Sequence, residues 1–268
     1  GLVNTGNIAG RKLVTIDAGN IEHLGGSISG QYVGLSSDKD IRVVGAAVTA
    51  TDALSVKAAG NVTVASTVET QQGGGTYQYE TNRIDRVAGL YVTNPSGDGM
   101  LSVVAGGDIN LQAAQIRNAG ADGLTQLAAG GTLDVGANAL EERRDATFDE
   151  RNHQRSSRTT HAATSVQGAG DVVLAAGKDI NLDAAQIKAA GGLALQAGGD
   201  INSQALVDSV SNDSSAAGKR SSRQVSQSDE TVRGSTLQAG DNLLLSAGRD
   251  VNLTAALVDS NDGAVSVV

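Results

Sequence analysis

Apolar and polar residues alternate along this chain in short runs, and the runs recur in the same order. LSVVAGGDINLQAAQIRNAG from Leu101 returns as VVLAAGKDINLDAAQIKAAGG from Val172, LALQAGGDINSQALVDS from Leu193 and LLLSAGRDVNLTAALVDS from Leu243. Weaker echoes are LSVKAAGNVTVAS from Leu54 and LVTIDAGNIEHLGGS from Leu13. Each copy reads as a strand, a turn at Ala-Gly-x-Asp, a second strand and, after paired alanines, a third. Branched apolar residues keep register from copy to copy at 101/103, 172/174, 193/195 and 243/245, with polar or small residues between them. Period two marks strands with one buried face. Undecorated copies follow at 21 residues, as Asp179 to Asp200 shows. A strand-rich repeat of that length buries a core only by stacking on itself, which predicts a parallel β-helix. Leu174, Ile180 and Leu182 are then core residues, packed on Leu195 and Ile201.

Three segments interrupt the repeat. Residues 1–68 read as degenerate coils, 69–97 as a first polar excursion, and 98–136 as regular coils. A second excursion covers 137–165, regular coils 166–206, a third excursion 207–236, and regular coils 237–268. Arg155-Ser-Ser-Arg158 and Arg220-Ser-Ser-Arg223 suggest that the last two excursions belong to a larger repeat of 65 residues. Alternation within RDATFDERN suits a two-stranded ribbon leaving the helix, or strands laid along its side. The Ser-rich third excursion also has the composition of a disordered loop. Without the excursions some nine coils remain, a rod of roughly 40–45 Å at about 4.8 Å per coil.

Composition sharpens this picture. With 35 Gly, one Pro, no Trp and aromatics at 2%, the chain lacks the large side chains of a wide core. A tube a few side chains across has no use for them. The absence of Cys removes disulfides and thiol chemistry, and is compatible with a secreted bacterial chain. A net charge of −9 argues against nucleic acid as a partner. Gly1–Asn4 and Ala264–Val268 carry no amphipathic cap, so the expectation is a segment of a longer filament with open terminal coils.

Candidate chemistry is sparse. Asp108, Asp179, Asp200 and Asp250 form one column, and Asn110, Asn181, Asn202 and Asn252 another. A metal reading fails because calcium β-rolls use a nonapeptide repeat with different spacing. Turn capping by Asp and an amide ladder of Asn are the expectation. The mixed charges of Glu141–Asp145 and Asp149–Arg151 suit cross-strand pairs on a solvated ribbon, not the clustered acids of a polysaccharide-cleaving site. His153 and His161 read as surface residues, and His23 has no assigned role. No catalytic residue, metal or cofactor is expected. Surface contacts, if any, fall to Tyr77, Tyr79, Phe148, Arg155, Arg158, Arg220 and Arg223.

The corner motifs AGGDINLQAAQI, AGKDINLDAAQI and AGRDVNLTAA resemble the hemagglutinin repeats of filamentous hemagglutinin-like exoproteins. Their interruption by Ser/Arg-rich excursions resembles the hemagglutinin-repeat region of contact-dependent growth inhibition effectors. The resemblance covers 98–268 strongly and 1–68 loosely. It implies a right-handed parallel β-helix in a two-partner-secreted filament, periplasmic before export and then secreted or at the bacterial cell surface. It further implies an outer-membrane two-partner secretion transporter as a partner of the parent chain, and a role in delivering a C-terminal toxin across the outer membrane or envelope of a contacted bacterium. The other reading open at this point is an adhesin segment whose excursions bind a surface glycan or protein. A polysaccharide-degrading enzyme is a remote third.

Overall fold

A computed structural model describes residues 1–268 as an all-β parallel β-helix. Each full coil contributes a strand to each of three walls. In one coil these strands are Met100–Ala105 (wall one), Ile109–Gln112 (wall two) and Gln115–Asn118 (wall three). Every wall is a parallel stack of nine strands running the length of the chain, matching the coil number expected from the repeat. In the two early strands Ser27–Ser37 and Ala47–Ala58, walls three and one run together without a break.

One residue per coil fills each interior column. Wall one stacks Val56, Val103, Leu127, Leu174, Leu195 and Leu245 in register. Wall two stacks Ile109, Leu133, Ile180 and Ile201, and wall three Leu90, Ile116, Val166, Ile187 and Leu237. All of these are buried in a single continuous core. Small interruptions occur: Thr125 and Ser203 point inward at Leu/Val positions, and neither hydroxyl has a hydrogen-bond partner. His23 also lies inside the tube, fully buried between Asn4 and the carbonyl of Ala47.

The turn from wall one to wall two explains the Ala-Gly-x-Asp motif. Each corner glycine (Gly106, Gly130, Gly177, Gly198, Gly248) lies directly over the carbonyl of the coil before it, where a Cβ would collide with backbone. In five coils the turn from wall two to wall three is made by a left-handed residue. Gly25 and Gly45 fill it early (φ 74° and 54°), and Ala113, Ala184 and Ala255 fill it later (φ 49°, 49° and 50°).

All three excursions leave the shaft at that second corner, and each is a β-hairpin. The first is Thr67–Gly73 with Tyr77–Arg86; the second is the outer part of Leu133–Asp149 with Asn152–Ala163; the third is Leu206–Ala217 with Ser222–Arg233. The first excursion is thus shorter than the expected 69–97, because Gly89–Val92 is already a wall-three strand. The third is an ordered hairpin despite its serine content. The repeat length also needs correction. Ala113, Ala184 and Ala255 occupy the same turn 71 residues apart, not 65. The two Arg-Ser-Ser-Arg motifs misled because they are not equivalent: Arg155–Arg158 is mid-strand, whereas Arg220–Arg223 spans the tip of the third hairpin.

Candidate interaction surface

Hairpins emerge only from alternate coils; the two coils between them close with the Ala113 and Ala184 turns, and the coil after the third hairpin closes with Ala255. The spacing has a geometric reason. Two hairpin strands at about 4.8 Å each fill the same height as two coils of the shaft. Successive hairpins therefore meet edge to edge, and together form one six-stranded antiparallel sheet standing off the shaft.

Buried hydroxyls secure the roots. Thr164 donates to the carbonyl of Gly136 (2.6 Å) and accepts the amide of Ala114 (3.1 Å) in the neighbouring coil. Ser235 accepts the amide of Ala185 (3.1 Å). Ser66 donates to the carbonyl of Ala113 (2.6 Å) and accepts the amide of Ala88 (2.9 Å). Each excursion root thus supplies the partner that a tight neighbouring turn lacks, and no hydrophobic pattern signals this.

The seams between hairpins are polar and matched in charge. Between the first and second, Glu80 lies opposite Arg143 and Tyr79 opposite Arg144. Between the second and third, Arg155 lies opposite Asp213 in register, while its ion pair (3.3 Å) is with Asp145 inside the second hairpin. His153 and His161 sit in this second seam, bonded to Asp213 (3.0 Å) and Asp208 (2.9 Å), with side chains only 11% and 13% exposed. They are seam residues rather than free surface residues. Arg233 completes the cluster on Asp208.

Burial pushes the Asp208 carboxyl up, but the His161 bond and the Arg233 guanidinium outweigh it and hold the group below its ordinary value. A carboxyl depressed in the folded state stabilises fully above its unfolded pKa, about 3.9, and that stabilisation fades as pH falls through the lower folded value. Hydrogen-exchange protection in 206–233 is therefore expected to hold from pH 7 to about 5 and to drop below about pH 4. Asp208→Asn should flatten that dependence.

Tyr77, Tyr79 and Phe148 gather near the hairpin tips. Tyr77 and Phe148 meet edge to face (6.4 Å between centroids) and stay about two-thirds exposed, at 68% and 65%. Tyr79 covers Gly73 on the adjacent strand, a glycine that its ring shields from solvent. Next to it Gln72, Gln78, Glu80, Arg143 and Asp145 line a shallow polar cleft. Arg158 faces Glu142 and Val210 on the flanking strands; Arg220 lies in the tip turn and Arg223 on the outermost strand. These candidates share one sheet but do not converge on one point.

The Asp and Asn columns lie on the shaft. Asp108 accepts the amide of Thr132 (2.8 Å), Asp179 that of Asp200 (2.8 Å) and Asp200 that of Asp250 (3.1 Å), so each carboxylate ties its coil to the next. The Asp200 amide, and after it Arg249, which bridges Asp179 and Asp200 at 3.0 Å each, hold the Asp179 carboxyl below its ordinary value. Asn252 donates to Asn202 (3.0 Å), Asn202 to Asn181 (3.1 Å) and Asn181 to Asp134 (2.8 Å). Asn110 stands at the same register position beside Asp134, with its side-chain oxygen unpartnered.

No curated protein and no solved structure matches the chain. The family described as Hemagglutinin repeat does, over residues 4–137, 74–220 and 216–267. With coils, corners and hairpins all inside those matches, the chain belongs to the hemagglutinin repeat family of filamentous hemagglutinin-type proteins.

Proposed function

We propose that this chain is a non-catalytic segment of a two-partner-secreted bacterial surface filament, serving delivery of a C-terminal toxin into a contacted bacterium. The observation that carries the reading is the division of labour in the fold. The shaft is a repeat whose polar columns bond to one another, while the tip aromatics and most of the charged pairs stand on a separate lateral sheet. Such a sheet is held at fixed height and angle by the shaft, as a contact surface for an envelope requires. Membership in the family supports a secreted, surface-exposed parent; the transporter, the toxin and the target-envelope partner are part of the proposal.

The test is delivery by the full-length parent with each hairpin replaced by a tight Ala-Ala turn. Export and surface display should persist while toxin entry into target cells falls at least tenfold. Undiminished entry would overturn the reading. The exposed Tyr77–Phe148 pair and the adjoining polar cleft favour a second reading, an adhesin segment that binds a surface glycan. Binding on a glycan array that is lost in Tyr77→Ala, with toxin entry unaffected, would select that one.

A further inference from the structure

Wall three carries a groove on the side away from the lateral sheet. The hairpins leave at the turn from wall two to wall three, whereas the groove follows the turn from wall three to wall one. It has a volume of about 750 Å³ and a floor of small residues, Ala169 and Ala190 among them. Its bank is one outward column of wall three, in which Arg117, Gln167, Lys188 and Gln238 stack in successive coils. Neither Arg117 nor Lys188 forms an ion pair. No acidic residue lines the groove, on a chain whose net charge is −9. Tyr91 precedes Arg117 in the same column. Its ring lies along the wall over Gly89, where a Cβ would strike it, and its hydroxyl donates to Gln115 (3.1 Å). Asp259, next in register after Gln238, ends this run of cations and amides.

We propose that this groove binds a linear acidic polysaccharide, laid parallel to the shaft axis, in which acidic and neutral sugars alternate. Arg117 and Lys188 stand two coil steps apart, about 10 Å, with one amide between them. A pyranose in an extended chain advances by about one coil step, so cation, amide, cation and amide face successive sugars. The cations take the carboxylates through charge-assisted hydrogen bonds, and Gln167 and Gln238 take the polar groups of the neutral sugars. Tyr91, pinned by Gln115, offers a ring face to the apolar side of the sugar before Arg117. The floor of small residues lets the sugars approach the backbone closely. An extended acidic peptide does not match, since its side chains on one face recur at about 7 Å, out of step with the coils. The site lies on the shaft and depends neither on toxin delivery nor on the Tyr77–Phe148 pair.

The test is titration calorimetry of this chain with a hyaluronan hexasaccharide, whose glucuronate and N-acetylglucosamine units alternate. Binding should be saturable and should weaken as salt rises. It should fall about tenfold in each of Arg117→Ala, Lys188→Ala and Tyr91→Ala, a loss of about 1.4 kcal/mol apiece. Arg117 and Lys188 are exposed, so circular dichroism of their variants should match the parent. Arg42→Ala, which removes an exposed cation from wall two, should leave the affinity unchanged, as should Tyr77→Ala on the lateral sheet. No binding of the hexasaccharide at millimolar concentration overturns the proposal. So does an affinity that survives Arg117→Ala together with Lys188→Ala, or polyglutamate that binds as tightly as the hexasaccharide, which would mark a generic anion surface. Loss of binding in Tyr77→Ala would place the glycan on the lateral sheet and likewise overturn it.

Discussion

Leu174→Asp is expected to lower the stability of the shaft by several kcal/mol, the cost of an unpaired carboxylate in an apolar tube. Leu174 is fully buried and stacked between Leu127 and Leu195. Set against a typical total of about 5–15 kcal/mol for a folded domain, the loss is large. The architecture also shapes it. Coils touch only their neighbours, so stability is a sum of nearest-neighbour terms, and damage at one coil divides the rod. A thermal melt should broaden or split in two. Hydrogen exchange should rise first in 171–197, while coils near Val43 and Val64 keep their protection. Leu174→Ala should cost less, about 2–5 kcal/mol, because it leaves a cavity without a charge. Equal melting of Leu174→Asp and the parent would contradict the placement of this side chain in the core.

Leu174 was legible from sequence because the period-two pattern and the 21-residue register point to the same face. The corner glycines were legible as turns, although the reason for them is not local: each faces the carbonyl of another coil. The paired alanines were visible as a motif, but their left-handed backbone was not. Alanine rarely adopts it, and the clue was weak: Gly25 and Gly45 hold the same turn in coils whose motif has eroded.

The lateral sheet was the least legible part. Its strands carry no apolar face, because both sides meet water, so alternation gives no signal for which strand pairs with which. Register pairings such as Arg155 with Asp213 bring together residues far apart in sequence, and the ion pairs across this seam, His153 with Asp213 among them, rest on single side chains. A short motif with a memorable spelling, Arg-Ser-Ser-Arg, then gave the wrong period. The histidines were misplaced for a related reason. Each lies in a polar strand, and only the third hairpin, docked beside them, covers their rings.

The 71-residue period makes the strongest test of how shaft and lateral sheet depend on each other. Deleting Val166–Gln186 removes 21 residues, the register step that separates Val166 from Ile187 and Val172 from Leu193. The shaft can close over this cut, since Ile187 inherits the stacking position of Val166. The hairpins cannot, because the second and third would then leave adjacent coils. Four strands need about 19 Å of height at about 4.8 Å each, and two coils supply only about half of that. One hairpin must be forced out of the sheet, breaking the bonds of His153 to Asp213 and His161 to Asp208. Deleting residues 114–184 removes 71 and joins Ala113 to Ala185. That longer cut takes out the second hairpin and two coils together, so the first and third hairpins again stand two coils apart and can pair. The expected result is an inversion of ordinary intuition. The 21-residue deletion loses exchange protection throughout 206–233, by a hundredfold or more if the hairpin is fully released, which corresponds to about 2.7 kcal/mol. The 71-residue deletion keeps protection in the strand 206–217 with an unbroken shaft. Equal protection of the third hairpin in both deletions would show that each hairpin is ordered by its own root and turn, and that the coil alternation is not what holds the lateral sheet together.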